Sequence, residues 1–381
     1  MPGAGFPELT PWATVLRRFA AILQKAVTKK RALALSATVI ALFLLVRRGI
    51  LVIFLGAKIL GYAAALDAWE GAVSRQTIVH GGIPVDVYLR RNPVSSILIV
   101  HGVNPTGKDS PDLIRISEAL AQVGYEVYVP DLQEMKKQHL RPEDAASVKT
   151  VFQSIGRNAG VACFSYGCGP ALIAAMDPDI RRQIRFVIGF GGYFDIRETL
   201  EFIVTGPESP LAYNKWVYLA ANSDLAAGET SRRRIRDMAE KRAAGLLLEP
   251  GIEEKLPDDA RSLFEVFSTT NRQDFRTRLK AAPASLQHRL DALSPSRYVR
   301  ALQAPLILIH GAYDPSIPAQ QSIELAEAAR ANGIDYTLTL LQMYGHTNPT
   351  LPRLGVESVF GYYIPETFRF LRIVNRVIAL R

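Results

Sequence analysis

The sequence predicts an α/β protein built around a mostly parallel β-sheet that is flanked by helices. Two observations predict this class. From residue 76 onward, short apolar runs alternate with longer segments of helical spacing, which is typical of strand–helix repeats. Most of these runs are continuously apolar, as expected of parallel strands that are covered on both faces.

The elements follow in chain order from this pattern. The first strand, residues 83–90, alternates as a half-exposed strand does. Further strands are predicted at residues 97–100, 126–129, 160–164, 186–190, 306–309 and 338–341. Helical spacing covers residues 111–123, 142–155, 166–176, 319–331 and 356–377. The number of strand–helix units is large enough for one sizeable α/β domain.

Charge is concentrated at the start of the chain. Residues 1–66 carry nine basic residues and one acid, Glu8, so they hold +8 of the net charge of +9. A basic, apolar segment ahead of a nearly neutral body is typical of proteins that bind anionic membranes. The same distribution disfavours nucleic acid as a partner.

The first 70 residues are predicted to form membrane-associating helices, with the contact running through residues 10–66. Apolar side chains recur at helical spacing after Thr10-Pro11, which indicates an amphipathic helix at a membrane interface or on the protein's own body. The apolar run 32–46 would make a helix of about 22 Å, too short for a bilayer core of about 30 Å. The run 49–66 is longer, but Lys58 lies at its centre. We therefore expect attachment at the cytoplasmic face, with a single span and an exported domain as the alternative.

Residues 195–300 interrupt the strand–helix alternation with a charged, helix-rich segment. This pattern predicts a helical cap inserted into the core, which is thereby divided into residues 71–194 and 301–381. The arginine-rich part, residues 232–242, has acidic neighbours, so it is interpreted as a solvated helix face rather than a phosphate site.

Three residues with the chemistry of a nucleophile, a base and an acid follow predicted strands. Ser165 follows strand 160–164, and the small residues Cys163 and Gly167 would permit a sharp strand-to-helix turn there. Asp314 and His346 come just after the strands 306–309 and 338–341. Taken singly, each has an ordinary structural interpretation, such as a helix cap for Ser165. The carboxyl ends of parallel strands share one edge of a sheet, so we expect the three side chains to meet.

These segments resemble the α/β-hydrolase family. The resemblance lies in Val161-Ala-Cys-Phe-Ser-Tyr-Gly, in Ile97-Leu-Ile-Val-His-Gly and in the order Ser165, Asp314, His346. It covers residues 76–193 and 301–377, and it departs from the common pattern at Cys163, where glycine is usual. The resemblance implies an α/β-hydrolase fold and an oxyanion hole formed by the backbone N–H groups of Val103 and Tyr166.

Some histidines and acids in this region allow other interpretations. Asp195 is an alternative triad acid, because some members of the family carry the acid one strand earlier. His101 and His310 each precede a glycine at a strand end, and they are interpreted as supports of the turns rather than as bases.

The predicted function is that of a membrane-associated serine hydrolase that cleaves an acyl ester, with lipids among the candidate substrates, through an acyl-enzyme. The alternative is a catalytically silent membrane scaffold that keeps the hydrolase fold. In either case, the N-terminal helices could also form a homo-oligomer. Neither a metal-ligand cluster nor a phosphate or dinucleotide motif occurs in the sequence, so no cofactor is expected. The two cysteines, Cys163 and Cys168, exclude a disulfide-rich scaffold and are interpreted as buried packing residues.

Overall fold

The computed structural model describes residues 45–61, 72–206, 214–346, 352 and 355–381. The chain divides into two compact units, Met1–Ile53 and Phe54–Arg381. Within the described part, helix α1 covers residues 45–59. The predicted amphipathic helix and the apolar run up to residue 44 lie outside the described residues. None of the helices in the described ranges is long and apolar enough to cross a membrane.

An eight-stranded sheet organises the second unit. In chain order, its strands are β1 Ser74–His80, β2 Ile83–Leu89, β3 Ser95–Val100, β4 Tyr125–Pro130, β5 Ala159–Phe164, β6 Ile184–Phe190, β7 Leu306–Gly311 and β8 Tyr336–Leu341. Their order across the sheet is β1-β2-β4-β3-β5-β6-β7-β8. β1 and β2 pair antiparallel, as do β2 and β4, whereas every pairing from β4 to β8 is parallel. The predicted mostly parallel sheet is therefore confirmed.

Strand β1 is absent from the sequence-based prediction. Its residues are nearly all exposed, and it pairs with β2 alone at the edge of the sheet. A two-sided polar edge strand lacks the apolar periodicity that identifies buried strands. The prediction was therefore wrong here for a physical reason: pairing, and not burial, defines this strand.

Helices connect the strands. They are α2 Pro111–Gln122, α3 Gln133–Lys136, α4 Glu143–Ser154, α5 Cys168–Ala175, α6 Ile196–Thr205, α7 Asn214–Ala221, α8 Glu229–Ala243, α9 Asp258–Ser268, α10 Arg272–Ala281, α11 Ala284–Leu293, α12 Gln320–Ala331, α13 Val356–Ser358 and α14 Ile364–Ala379. The single helix predicted over residues 356–377 is divided by a π-helical segment, Val359–Tyr363. Pro365 lies in the first turn of α14, directly after this π-helical segment.

The two faces of the sheet are buried in different ways. Alternate strand residues, such as Leu98, Val161 and Leu308, belong to one large apolar cluster that includes α4, α5 and helices α6 to α11. The intervening residues, such as Ile99 and Ile188, are also buried but lie outside that cluster. They face the opposite side, because successive strand side chains point to opposite faces.

Helices α6 to α11 follow β6 and precede β7, in the segment where a cap was predicted. The arginines of α8 bind protein groups: Arg232 donates to Ala226 O, Arg234 to Lys255 O and Arg236 to Ser223 Oγ. Lys241 forms an ion pair with Asp237 one turn away. These contacts agree with a structural role for the charged helix.

Candidate active site

Ser165 lies at a sharp turn between β5 and α5. Its φ is +52°, a left-handed conformation that is unfavourable for a residue with a Cβ and that persists only where packing enforces it. The backbone that follows β3 provides that packing: a Cβ on Gly167 would collide with His101 O, and one on Gly102 would lie 2.9 Å from Ser165 Cβ. Close approach of two backbones therefore holds the serine at the strand end, as in the nucleophile elbow of hydrolases.

Cys163 and Cys168 lie on either side of this turn, and both are buried, as predicted. They are also bonded to each other as a disulfide, which the sequence-based interpretation as separate packing residues missed. The bond joins the carboxyl end of β5 to the first residue of α5. It thus closes a short covalent loop around Ser165.

His346 connects Ser165 to Asp314. Its Nε2 lies 2.7 Å from Ser165 Oγ, and its Nδ1 lies 2.6 Å from Asp314 Oδ2. Because a carboxylate only accepts, the Nδ1–H donates to Asp314, and Nε2 is left to accept the serine proton. The three predicted side chains are therefore brought into one continuous hydrogen-bond chain.

Asp314 is buried, and it is surrounded by donors. Burial by itself would raise the pKa of this carboxyl, but hydrogen bonds from His310, His346 and the Ile317 N–H outweigh burial and lower the pKa to about 2. Its Oδ1 accepts from the backbone N–H groups of Ser316 and Ile317 at 2.8 and 2.9 Å. Asp314 is consequently a fixed carboxylate, with Oδ2 directed at His346.

The two other histidines of the motifs support loops, as predicted. Nε2 of His101 accepts from the Leu132 N–H at 3.1 Å, and its Nδ1 donates to Gly102 O at 2.8 Å. Burial lowers the pKa of His101, which keeps the ring neutral. His310 contacts Ser322 Oγ and Ile317 O at 2.7 and 2.9 Å, and its Nε2 lies 3.4 Å from Asp314 Oδ2.

Asp195, the alternative acid, has a different set of partners. It caps the N-terminus of α6 by accepting from the Arg197 N–H at 2.9 Å, and it also accepts from Ser296 Oγ at 2.9 Å. These bonds direct its carboxylate to the junction of α6 with the segment after α11. Asp314 is the acid in hydrogen-bond contact with His346.

The predicted oxyanion donors flank the nucleophile. The Tyr166 N–H belongs to the residue that follows Ser165, and Val103 follows Gly102, whose Cβ position is 3.5 Å from Ser165 Oγ. The Tyr166 ring packs against Tyr193 and Tyr218 at 5.8 and 6.4 Å between centroids. The Tyr166 side chain is thus packed among aromatic residues beside the nucleophile.

Glu366, a residue that the sequence did not suggest, fixes the histidine loop. It is buried at the start of α14, and its Oε2 accepts from the N–H groups of Gln342 and Met343 at 2.7 and 3.1 Å. Arg369 pairs with its other oxygen at 2.5 Å. The loop between β8 and His346 is therefore tied to α14 by charge-assisted hydrogen bonds.

The sheet order and the site agree with one known architecture. The nucleophile follows β5, the acid follows β7 and the histidine follows β8, in a parallel sheet with antiparallel strands at one edge. The fold is that of the α/β-hydrolases. No group of three or more His, Cys, Asp or Glu residues in the described ranges could hold a metal ion.

Comparison with known families gives a partial match. A family model described as BD-FAE, an α/β-hydrolase-like family, matches residues 257–329, which include β7 and Asp314. No curated protein matches the chain.

Several solved structures are similar. The acylaminoacyl peptidase of Pyrococcus horikoshii has 12% identity and a TM-score of 0.48 over 84% of this chain and 43% of that chain. A puromycin-hydrolyzing peptidase of Mycobacterium tuberculosis has 15% identity and a TM-score of 0.45 over 82% and 38%. The meta-cleavage product hydrolase CumD of Pseudomonas fluorescens IP01 has 18% identity and a TM-score of 0.43 over 79% and 96%. The chain spans about two fifths of each peptidase. At these scores, the strand order and side-chain contacts carry the fold assignment.

Proposed function

We propose that the protein is a serine hydrolase that cleaves an acyl ester through a covalent acyl-enzyme. The hydrogen-bond chain from Ser165 Oγ through His346 to Asp314 is the observation that supports this proposal. Nucleophile, base and orienting acid have the geometry that acyl transfer requires.

The reaction proceeds in two displacements. Ser165 Oγ attacks the ester carbonyl carbon while its proton passes to His346 Nε2, and the new O–C bond gives a tetrahedral oxyanion. The N–H groups of Val103 and Tyr166 stabilise that oxyanion. On collapse, the alcohol leaves with the proton from His346. Water then attacks the acyl-serine, His346 takes the water proton and returns it to Ser165, and the carboxylic acid is released.

Covalent labelling tests this proposal. We expect an ethyl fluorophosphonate probe to modify the detergent-solubilised protein on the peptide that contains Ser165, as identified by mass spectrometry. Ser165→Ala should abolish labelling, whereas Ser154→Ala, an exposed serine on α4, should leave it intact. A folded parent protein that stays unlabelled would contradict the proposal and favour the catalytically silent scaffold.

We further propose that the protein is held at a membrane surface, at the cytoplasmic face, through residues 10–66. The charge of +8 in residues 1–66 supports binding to anionic lipid. Within the first unit, Leu45, Val46, Ile50 and Ile53 are exposed. Exposed apolar side chains also recur at every fourth position along the segment before and into α14, a stripe formed by Val356, Phe360, Ile364 and Phe368. Exposed apolar stripes on helices are typical of membrane contact.

Flotation with vesicles tests the membrane proposal. We expect the full chain to bind vesicles that contain phosphatidylserine, and we expect binding to weaken as salt screens the basic segment. The double substitution of Phe360 and Phe368 by glutamate should weaken binding, because it places charge in the apolar stripe. Leu247→Glu, at another exposed apolar residue, should not. Equal vesicle binding by the parent and the double variant would show that the stripe does not contact the membrane.

A further inference from the structure

A cavity of about 430 Å³ lies on the face of the sheet that is opposite the large apolar cluster. Its floor is made by alternate residues of the central strands, among them Ile97, Ile99 and Ile188. Helices α2 and α14 and the end of α1 form the walls. All of these residues belong to the second unit, so the cavity is part of one compact body.

The cavity begins at the catalytic side chains. Ser165 and His346 line it, together with His101 and Val103 near the predicted oxyanion hole. It continues down the sheet to Ile97, four residues before His101. Four strand residues correspond to about 13 Å, the length of roughly ten methylene groups. A group attached to Ser165 Oγ could therefore extend along the floor over that distance.

The chemistry of the walls changes with depth. The charged residues in the lining are Asp112 and Arg115 of α2, which pair with each other at 2.8 Å. Farther along, α14 contributes Phe370, Ile373 and Val374, and the sheet contributes isoleucines. A cavity of this volume and lining suits an uncharged, apolar ligand.

Helix α1 closes this cavity from one side. Leu55 and Ile59 line it, and Leu55 is fully buried. At Gly56 the helix lies close to α14, since a Cβ there would be 3.2 Å from Leu371 and 3.4 Å from Phe370. The part of α1 that belongs to the second unit, residues 54–59, thus forms one wall of the cavity.

We propose that this cavity holds the acyl chain of the substrate, an unbranched chain of roughly ten carbons, while the alcohol part lies on the other side of the ester carbonyl. The inference rests on the proposed hydrolase function and names its substrate class. A chain covalently attached to Ser165 would lie between the sheet and helices α1, α2 and α14. Acyl chains that reach Ile97 fill the site, and longer chains exceed it.

Acyl-chain specificity of the full-length, detergent-solubilised enzyme tests the inference. Nitrophenyl esters of two to sixteen acyl carbons are compared by kcat/KM. In the parent, we expect kcat/KM to rise by up to about fourfold per methylene until the cavity is filled, as burial of apolar surface requires. Ile97→Ala, at the deep end, should move the optimum to longer chains. Val374→Phe should lower the ratio of decanoate to acetate hydrolysis at least tenfold.

A control variant and a labelling experiment distinguish failure of the acyl-chain assignment from failure of the hydrolase proposal. Val79→Phe makes the same replacement at an exposed position of β1, and it should keep the parent profile. Ethyl fluorophosphonate labelling of Ser165 reports whether each variant retains a working serine. An unlabelled parent that cleaves no ester would contradict the hydrolase proposal itself. A labelled parent without chain-length preference, or an unchanged profile in a labelled Ile97→Ala variant, would overturn the acyl-chain assignment. If Val374→Phe does not fold, Ile97→Ala decides.

Discussion

Replacing Asp314 by asparagine should remove nearly all activity because it forces His346 into the wrong tautomer. Oδ1 of Asp314 accepts from two backbone N–H groups, those of Ser316 and Ile317. The amide oxygen of an asparagine must therefore occupy the Oδ1 position. Its NH2 group then takes the Oδ2 position, 2.6 Å from His346 Nδ1, and donates to that nitrogen.

The tautomer of His346 decides whether Ser165 can lose its proton. If Nδ1 accepts, the ring proton lies on Nε2, which then faces Ser165 Oγ at 2.7 Å as a donor and cannot take the serine proton. In triads of this kind, such an exchange lowers kcat by about 10⁴-fold. The lost negative charge adds to the effect, because it no longer stabilises the imidazolium that forms during attack.

Asp314→Asn should also lower the free energy of unfolding, by an amount that depends on pH. The pKa of Asp314 is lowered from 3.8 to about 2, which corresponds to about 2 kcal/mol of folding stability. This contribution is present above the unfolded pKa and is lost as pH falls through about 2. Asp314→Asn should therefore be less stable than the parent at pH 7, and the difference should shrink towards pH 2.

The assay is hydrolysis of nitrophenyl butyrate at pH 7 and pH 8, with Asp195→Asn as the matched control. Asp195 caps α6, and asparagine caps a helix about as well as aspartate, so Asp195→Asn should change stability little and change kcat less than tenfold. Near-parental activity in Asp314→Asn, together with a thousandfold loss in Asp195→Asn, would refute this reasoning and identify Asp195 as the triad acid.

Substitutions of Glu366, Gly102 and Asp144 test other parts of the structure. Glu366→Ala should lower both the melting temperature and kcat, because two backbone N–H groups lose a charged acceptor worth about 1–3 kcal/mol. Glu366→Gln should lower them less, since the amide oxygen still accepts. Unchanged kcat in both variants would contradict a positioning role for Glu366. Gly102→Ala should lower kcat roughly tenfold or more, since the new Cβ would lie 2.9 Å from Ser165 Cβ, whereas Gly361→Ala has open space around it and serves as the control. Burial raises the pKa of Asp144 to about 6 and disfavours its ionised form. Asp144→Asn should therefore increase the free energy of urea unfolding by up to about 3 kcal/mol at pH 8, and not at pH 4. An equal gain at both values of pH would exclude ionisation as the cause.

The proximity of Ser165, Asp314 and His346 follows from local patterns that a sequence displays. Ser165 directly follows β5, Asp314 and His346 lie in the loops that begin where β7 and β8 end, and parallel strands end at one edge of the sheet. Glu366 gives no comparable signal. It is a single acid in the first turn of a helix, a common position for acids in general. Only the tertiary contact with the loop after β8 shows what its charge does.

The cavity proposed to hold the acyl chain illustrates a limit of apolar patterns. Strand β3 is one uninterrupted run of buried residues, and this is the reason that it could be predicted as a central parallel strand. Such a run shows that both faces avoid water, but it does not distinguish a face packed against side chains from one that lines a cavity. Leu98 and Ile99 are both fully buried, yet only Leu98 belongs to the large cluster. The difference depends on the distance of α1, α2 and α14 from the sheet, which residues far apart in the chain set together. In the proposed acyl-chain site, specificity would therefore depend on helix placement, and a substitution on α14 should alter it while the catalytic residues stay unchanged.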